Sequence, residues 1–463
     1  VTQPTINPTI FREYDIRGLV DTDLNEAVLT QLGRAFGAFL RRNHDRPRVV
    51  VGHDVRLSSP GYAAAASAGL RSVGCDVIAI GMAPTPVLYF AVNTLDVAGG
   101  LCVTASHNPP QFNGLKLRKR AGPTGEPLTT DEVQEVRRIA DAGQFADGAG
   151  SFDRADVITP YLDYLSQTIR LDRPLRVVVD SGNGATGPTA TAALRRIGAE
   201  VIGLFTEPDG AFPHHLPNPL KSENLADLVS AVREHGADIG VALDGDGDRL
   251  GVVDDRGAIL WPDQYLIFLA RRALAAGPGP IVVDVKCSMA LIEEIERAGG
   301  TPIMTRTGYT NIARKRAEVG ARLAGEFSGH IFFDDPVIDF DDGTFAAAML
   351  LQWLALQRQP LSELLRGTTH YFSTPEERYA CEEPAKQRVV EAVRQRFKQQ
   401  YQTIDIDGVR IVFPDGWALV RASNTEPALT ARYEARTPER LEAIVTLVKR
   451  VLREFPEVDL ERD

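Results

Sequence analysis

The chain has 463 residues, more than one hydrophobic core serves, and 44% of them are apolar, enough for several ordinary cores. Its formal net charge of −11 disfavours non-specific nucleic-acid binding, which needs a basic footprint, but leaves room for a local cation cluster around a small anion. Four widely spaced cysteines (Cys75, Cys102, Cys287, Cys381) fit neither a zinc site nor a disulfide framework, and no apolar run reaches the roughly 18 residues of a membrane span. With no basic-then-apolar segment at the N-terminus, the expectation is a cytoplasmic protein without a secretory signal.

In chain order, the first predicted strand is Arg48-Val49-Val50-Val51-Gly52, a β-branched run suited to the centre of a parallel sheet. A helical stretch follows, then strands over 74–80 and 99–103. The same succession returns twice. Strands over 176–180, 198–205 and 239–243 form a second set, and strands over 280–284, 300–305 and 323–325 a third. Strands alternating with helices imply βαβ units, so the chain reads as three related α/β domains with mainly parallel mixed sheets. The boundaries are 1–152, 153–257 and 258–368, leaving 369–463 as a smaller α+β domain. That last part carries a helix over 383–401, strands over 410–413 and 417–421 joined by a Pro414-Asp415-Gly416 turn, and a closing helix over 439–454.

The third strand of each repeat runs into a different polar loop. The first is Thr104-Ala105-Ser106-His107-Asn108-Pro109, the second Asp244-Gly245-Asp246-Gly247-Asp248-Arg249, the third Gly325-Glu326-Phe327-Ser328-Gly329-His330. Open α/β sheets bind ligands at the carboxyl ends of their strands, so three loops at equivalent strand ends are expected to wall one site.

Asp244, Asp246 and Asp248 alternate with glycine, which brings three hard oxygen ligands near one point and suits Mg²⁺. An EF-hand reading fails, because Arg249 and Asp255 stand where that loop needs Gly and Glu. Arg249 beside the carboxylates suits a transferring phosphoryl group. A serine beside a histidine, Ser106-His107, has a cheaper explanation as an Asn-Pro turn, and it is not a hydrolase elbow. Downstream, Asn113-Gly114 reads as a turn preceding Lys116, a cation suited to proton movement or phosphate neutralisation. Arg421, Ser423, Asn424 and Thr425 supply a guanidinium fork, two hydroxyls and an amide, a match for phosphate oxygens. Glu326 and Ser328 suit sugar hydroxyls, and His330 suits acid–base work or phosphate binding.

Taken together and in this order, these loops resemble those of the α-D-phosphohexomutases, most closely the bacterial phosphomannomutase/phosphoglucomutase group, over essentially the whole chain. Phe11-Arg12-Glu13-Tyr14-Asp15-Ile16-Arg17-Gly18 is similar to that family's opening motif. The resemblance implies four domains around a central cleft and a phosphoryl group carried on Ser106. It implies Mg²⁺ held by Asp244, Asp246, Asp248 and the Ser106 phosphate. It implies catalytic roles for Ser106, Lys116, Arg249, His330 and Arg17, with His107 as a further candidate beside the serine. Substrate contacts are implied for Tyr14, Lys286, Thr307, Gly308, Tyr309, Glu326, Ser328, Arg421, Ser423, Asn424, Thr425 and Arg432. The implied reaction interconverts hexose 1-phosphate and hexose 6-phosphate, of mannose or glucose, through a hexose 1,6-bisphosphate that also serves as activator. The expected partners are small sugar phosphates, with neither nucleic acid nor membrane, in a monomer or homodimer.

Two positions depart from the group. Tyr309 follows Thr307-Gly308 where a histidine is common, which shifts proton handling toward His330, Lys116 or Lys286. Phe327 replaces the commoner methionine in the sugar loop, an apolar exchange expected to disturb little. The alternative within the family is a phosphoglucosamine or phospho-N-acetylglucosamine mutase, whose sugar loop usually carries Gln where this chain has Phe327. A non-catalytic sugar-phosphate sensor is the alternative outside it, and that reading leaves the retained serine, aspartates and Arg249 without a use.

Overall fold

The computed structural model describes residues 4–423 and 427–460. The three β-branched runs form strands where they were expected. In the first repeat Arg48–His53 lies parallel to both Asp76–Met82 and Gly99–Val103. Val49, Val50 and Val51 are buried, so the run is continuously apolar instead of alternating. In the second repeat Arg176–Asp180 lies parallel to Glu200–Leu204 and Ile239–Leu243. In the third, Pro280–Asp284 lies parallel to Thr301–Thr305 and Leu323–Gly325.

Antiparallel return strands complete the first two sheets. Phe112–Ala121 runs back along Gly99–Val103, and Leu250–Asp254 runs back along Ile239–Leu243. The serine loop and the aspartate loop are therefore the connections from a third strand to its return strand. One expectation changes here. Asn113-Gly114 is not a turn but part of the strand Phe112–Ala121, paired antiparallel with Ile16–Leu19. Glycine is required there by close approach, because a Cβ on Gly114 would meet the Ile16 carbonyl oxygen at 2.1 Å.

The chain forms two compact units, Val1–Trp261 with Ser328–Leu364, and Pro262–Phe327 with Leu365–Asp463. The helix Gly343–Ala355 explains why Ser328–Leu364 belongs with the first unit. Its sequence GTFAAAMLLQWLA is apolar on nearly every face, and nearly all of it is buried. A helix of that kind needs cover on all sides. It starts at Asp342, whose side chain accepts from the Phe345 amide at 2.9 Å and from the Tyr161 hydroxyl at 2.8 Å.

In the second unit the C-terminal sheet runs Gln402–Ile404, Val409–Phe413, Gly416–Ala422, Ala428–Ala435, Glu377–Cys381, Val458–Asp459. The helices Glu383–Lys398 and Pro438–Leu452 bury their apolar stripes in the same core as this sheet. The sheet's other face meets the third repeat. There the fully buried Arg410 stacks 3.7 Å over Trp417 and donates to the carbonyls of Val285 at 2.6 Å and Cys287 at 2.8 Å. No helix among the described residues is long and apolar enough to cross a membrane.

Candidate active site

The first unit brings the serine and aspartate loops together. Ser106 has a positive φ of 51°, a conformation uncommon for a residue with a Cβ. Its amide donates to the Thr104 hydroxyl at 2.9 Å, and its hydroxyl donates to Asp244 Oδ2 at 2.5 Å. His107 Nδ1 lies 3.2 Å from the same hydroxyl. The His107 pKa is lowered, by burial first and then by Arg249 and Arg17. Arg17 reaches the loop from the strand Ile16–Leu19, donating to Asn108 Oδ1 at 2.9 Å and to Asp15 at 2.5 Å. Tyr14, in the bend before that strand, is half-buried.

What holds this loop was not foreseen. Arg56 is fully buried, and its guanidinium donates to the carbonyls of Ser106 at 2.8 Å, Asn108 at 2.6 Å, Pro109 at 2.8 Å and Phe112 at 3.0 Å. Asp54 pairs with its Nε at 3.0 Å and balances the buried charge. The available signal was a charged pair, Asp54 and Arg56, directly following a core strand.

Asp244, Asp246 and Asp248 are buried and offer ligand oxygens that all lie within 4.8 Å of one another. The loop folds back on itself through Asp244 Oδ1, which accepts from the amides of Gly247 at 3.0 Å and Arg249 at 3.1 Å. The intervening glycines are needed for approach: a Cβ on Gly245 would meet the Ser106 carbonyl oxygen at 2.5 Å. Thr85 anchors the loop, donating its hydroxyl to Asp246 Oδ2 at 2.7 Å. Lys116 places its ammonium 2.7 Å from Asp246 Oδ2 and also in contact with Asp248.

The electrostatics follow from this packing. Burial, then Asp248 and Asp246, push the Asp244 carboxyl well above its ordinary range. Burial opposes ionisation of Asp246 and Asp248 too, but Lys116, joined by Thr85 at Asp246 and by His330 and Arg249 at Asp248, holds both below the usual value. Asp246 Oδ1 and Asp248 Oδ1 are buried with no hydrogen-bond partner among the described residues. Unpartnered hard oxygens on two of three clustered carboxylates fit a small divalent cation.

His330 joins this group from the third loop. Its Nε2 accepts from Arg249 Nε at 3.0 Å, and its Nδ1 lies 2.7 Å from Asp341 Oδ2. Asp341, like Arg56, escaped the sequence reading. Ser328 is half-buried in the turn before His330, whose Gly329 carbonyl accepts from the Leu250 amide at 3.1 Å. The Phe212–His215 segment packs structurally: His214 stacks 3.9 Å from the Phe205 ring, and His215 Nε2 lies 3.1 Å from Asp180.

The second unit holds the remaining residues. Glu326 is buried and accepts from the Gly308 amide at 2.8 Å. Gly308 has φ 107°, which reserves the position for glycine, and Tyr309 opens the helix Tyr309–Val319. Thr307 donates from its amide at 3.1 Å and its hydroxyl at 2.7 Å to Asp407 Oδ2. Arg421 pairs with the same carboxylate, Nε at 3.2 Å. Ser423 is buried, and its carbonyl accepts from the buried Lys386 ammonium at 2.6 Å. Asn424 and Thr425 lie outside the described residues. Lys286 Nζ sits 3.4 Å from Glu376. Burial lowers the Lys286 pKa, but Glu376 and Asp284 more than offset it and raise it overall. Arg432 turns its fork on the Lys286 carbonyl and, at 3.1 Å, on Asp263, with its plane 3.6 Å over the Phe327 ring. Phe327 is thus a platform for an arginine as well as an apolar filler.

Known families match the chain in the same order. The model described as phosphoglucomutase/phosphomannomutase, alpha/beta/alpha domain I, matches residues 8–147. The corresponding models of domains II and III match 159–257 and 261–371, and that of the C-terminal domain matches 376–451. A phosphomannomutase/phosphoglucomutase of Pseudomonas aeruginosa is 41% identical over 453 residues, covering 97% of this chain and 96% of that protein. A phosphoglucomutase of Neisseria gonorrhoeae is 39% identical, covering 98% of each. Among solved structures, a phosphoglucomutase/phosphomannomutase family protein from Burkholderia thailandensis superposes with a TM-score of 0.91 at 39% identity, covering 97% of this chain and 98% of that one.

Proposed function

Because the chain belongs to the phosphoglucomutase/phosphomannomutase family, we propose that it interconverts the 1-phosphates and 6-phosphates of mannose or glucose through a phosphoryl group carried on Ser106. The observation that carries this reading is the Ser106 hydroxyl 2.5 Å from Asp244, with Asp246, Asp248, Lys116 and Arg249 gathered around it. Unmodified, the Ser106 hydroxyl donates to the Asp244 carboxylate. The same serine, phosphorylated and neutralised by cations, is a phosphoryl donor.

Asp244, Asp246, Asp248 and an oxygen on Ser106 would hold Mg²⁺, which supplies charge neutralisation at the transferring phosphoryl group. The chain's own groups do the rest. Lys116 and Arg249 offset the charge that builds on the equatorial oxygens. His330, fixed between Arg249 and Asp341, takes the proton of the attacking sugar hydroxyl. Glu326 and Ser328 read sugar hydroxyls, and Arg421 and Ser423, with Asn424 and Thr425, hold the phosphate that does not react. A hexose 1,6-bisphosphate forms, reverses its orientation, and returns its other phosphoryl group to Ser106. A fixed grip on one phosphate keeps the opposite end at the serine. The division into domains at 152, 257 and 368 is part of this reading.

Ser106→Ala tests it. In a coupled assay the variant is expected to lose nearly all conversion of glucose 1-phosphate and mannose 1-phosphate, and full activity would overturn the proposal. The intact mass of the wild-type protein is expected to carry about 80 Da of phosphoryl group, lost on incubation with substrate and absent from the variant. Running glucosamine 1-phosphate in the same assay checks the sugar, since faster turnover of it than of both hexose phosphates would reassign the substrate.

A further inference from the structure

Asp407 lies in the loop between the strands Gln402–Ile404 and Val409–Phe413, and no motif pointed to it. Its side chain is buried, and one oxygen, Oδ2, gathers three donors: the Thr307 amide at 3.1 Å, the Thr307 hydroxyl at 2.7 Å and Arg421 Nε at 3.2 Å. Arg421 Nη2 faces Oδ1 at 3.5 Å, so the guanidinium meets the carboxylate with its Nε–Nη2 edge. The loop itself is pinned. Gly408 has φ 76°, and a Cβ there would meet the Val420 carbonyl oxygen at 2.4 Å and the Arg421 Cβ at 2.5 Å. The backbone beside Asp407 is thus pressed against the strand that carries Arg421.

Gly308, the next residue after Thr307, donates its amide to Glu326 at 2.8 Å. One polar chain therefore runs Arg421, Asp407, Thr307, Gly308, Glu326, all within the second unit. It joins the arginine of the phosphate loop to the carboxylate of the sugar loop.

We propose that Asp407 is a positioning residue that aligns Arg421 for the non-reacting phosphate and couples that grip to the sugar-reading Glu326. This rests on the phosphohexomutase reading above. The carboxylate fixes one edge of the guanidinium, which orients the remaining Nη1 edge, and it holds the 307–308 backbone whose amide orients Glu326. A charge-assisted, side-on pairing sets the plane of an arginine in a way a single neutral acceptor does not. Correct placement of the far phosphate matters most once the bisphosphate has reversed, because an intermediate that is not gripped again there escapes before its second transfer.

The consequence is specific. Loss of Asp407 weakens a contact made equally in ground and transition states, which raises KM more than it lowers kcat. It also raises the amount of hexose 1,6-bisphosphate shed per turnover. Full-length wild type, Asp407→Ala, Asp407→Asn and Thr307→Val are compared with glucose 1-phosphate, measuring kcat, KM and released glucose 1,6-bisphosphate, with thermal melts as the control for folding. The Ala variant is expected to raise KM about tenfold or more and to shed several-fold more bisphosphate. The Asn variant, which keeps an acceptor, is expected to recover part of both, and Thr307→Val to show a smaller change in the same direction. Unchanged KM and unchanged shedding in the folded Ala variant would overturn the proposal, as would a fall in kcat alone. If Ala does not fold, the Asn and Thr307→Val variants decide by the same two readouts. Wild-type protein without mutase activity would instead remove the phosphohexomutase reading, so the two failures are told apart.

Discussion

The Arg56 guanidinium donates to the Ser106 carbonyl at 2.8 Å, across fifty positions of sequence, and that hydrogen bond is one of four by which a buried arginine shapes the serine loop. The positive φ of Ser106 is supported by these donors, which fix its own carbonyl and three carbonyls that follow it. Arg56→Lys retains the charge but not the fork, so it reaches fewer carbonyls and lets the loop relax. The expected result is a kcat lower by about 10²-fold with substrate KM little changed, read in the coupled assay, since displacement of a reacting group by about 1 Å costs that much. Unaltered kcat in a folded Arg56→Lys protein would show that the loop holds its shape without the fork.

Lys116 is the cation that pairs with two of the three buried carboxylates, Asp246 and Asp248. Removing it leaves like charges facing each other, and breaking a buried pair of this kind costs about 3–5 kcal/mol. Lys116→Met is therefore expected to melt well below wild type in EDTA and to recover much of the difference in millimolar Mg²⁺, because a divalent ion at the aspartates replaces the missing charge. An equal loss of thermal stability with and without Mg²⁺ would separate the lysine from the metal site.

Phe327 carries the plane of Arg432 at 3.6 Å, and Trp417 lies 5.8 Å from the same guanidinium. The exchange of methionine for Phe327 is more than an apolar one, because an aromatic face attracts a cation where a thioether does not. Phe327→Met is expected to cost about 1 kcal/mol by chemical denaturation. In an Arg432→Met background the same change is expected to cost much less, and equal costs in both backgrounds would remove the stacking from the account.

Burial raises the Asp284 carboxyl to about 6, with Lys286 opposing the rise and Glu326 adding to it. A carboxyl whose folded pKa lies above its unfolded value of about 3.9 binds its proton more tightly in the folded state. Its stabilising contribution is complete below about pH 3.9 and is lost as pH rises through about 6. Asp284→Asn removes that titration and keeps an acceptor for the Lys286 amide, which Asp284 Oδ1 meets at 3.1 Å. The stability of the variant relative to wild type is expected to improve by about 1 kcal/mol between pH 5 and pH 8, followed by urea denaturation. A difference that does not change with pH would place the titration elsewhere.

The amino-acid sequence alone determined the repeat and the loops that end it. β-branched runs such as 48–52, 176–180 and 280–284 are readable because central parallel strands are buried on both faces, so their composition is continuous and local. The aspartate loop was readable because three carboxylates within five residues meet wherever the backbone turns. Only the tertiary structure decided which distant side chains make those loops work. Arg56, Asp341 and Asp407 act across 50, 11 and 100 positions on Ser106, His330 and Thr307, and no periodicity records a contact of that kind. Asn113-Gly114 shows the same limit from the other side. Its composition is that of a turn, and the close approach of Ile16, visible only in the folded sheet, makes it a strand. Phe327 differs for a related reason: its apolar character is local, whereas the Arg432 guanidinium stacked on its ring comes from a strand more than a hundred residues away.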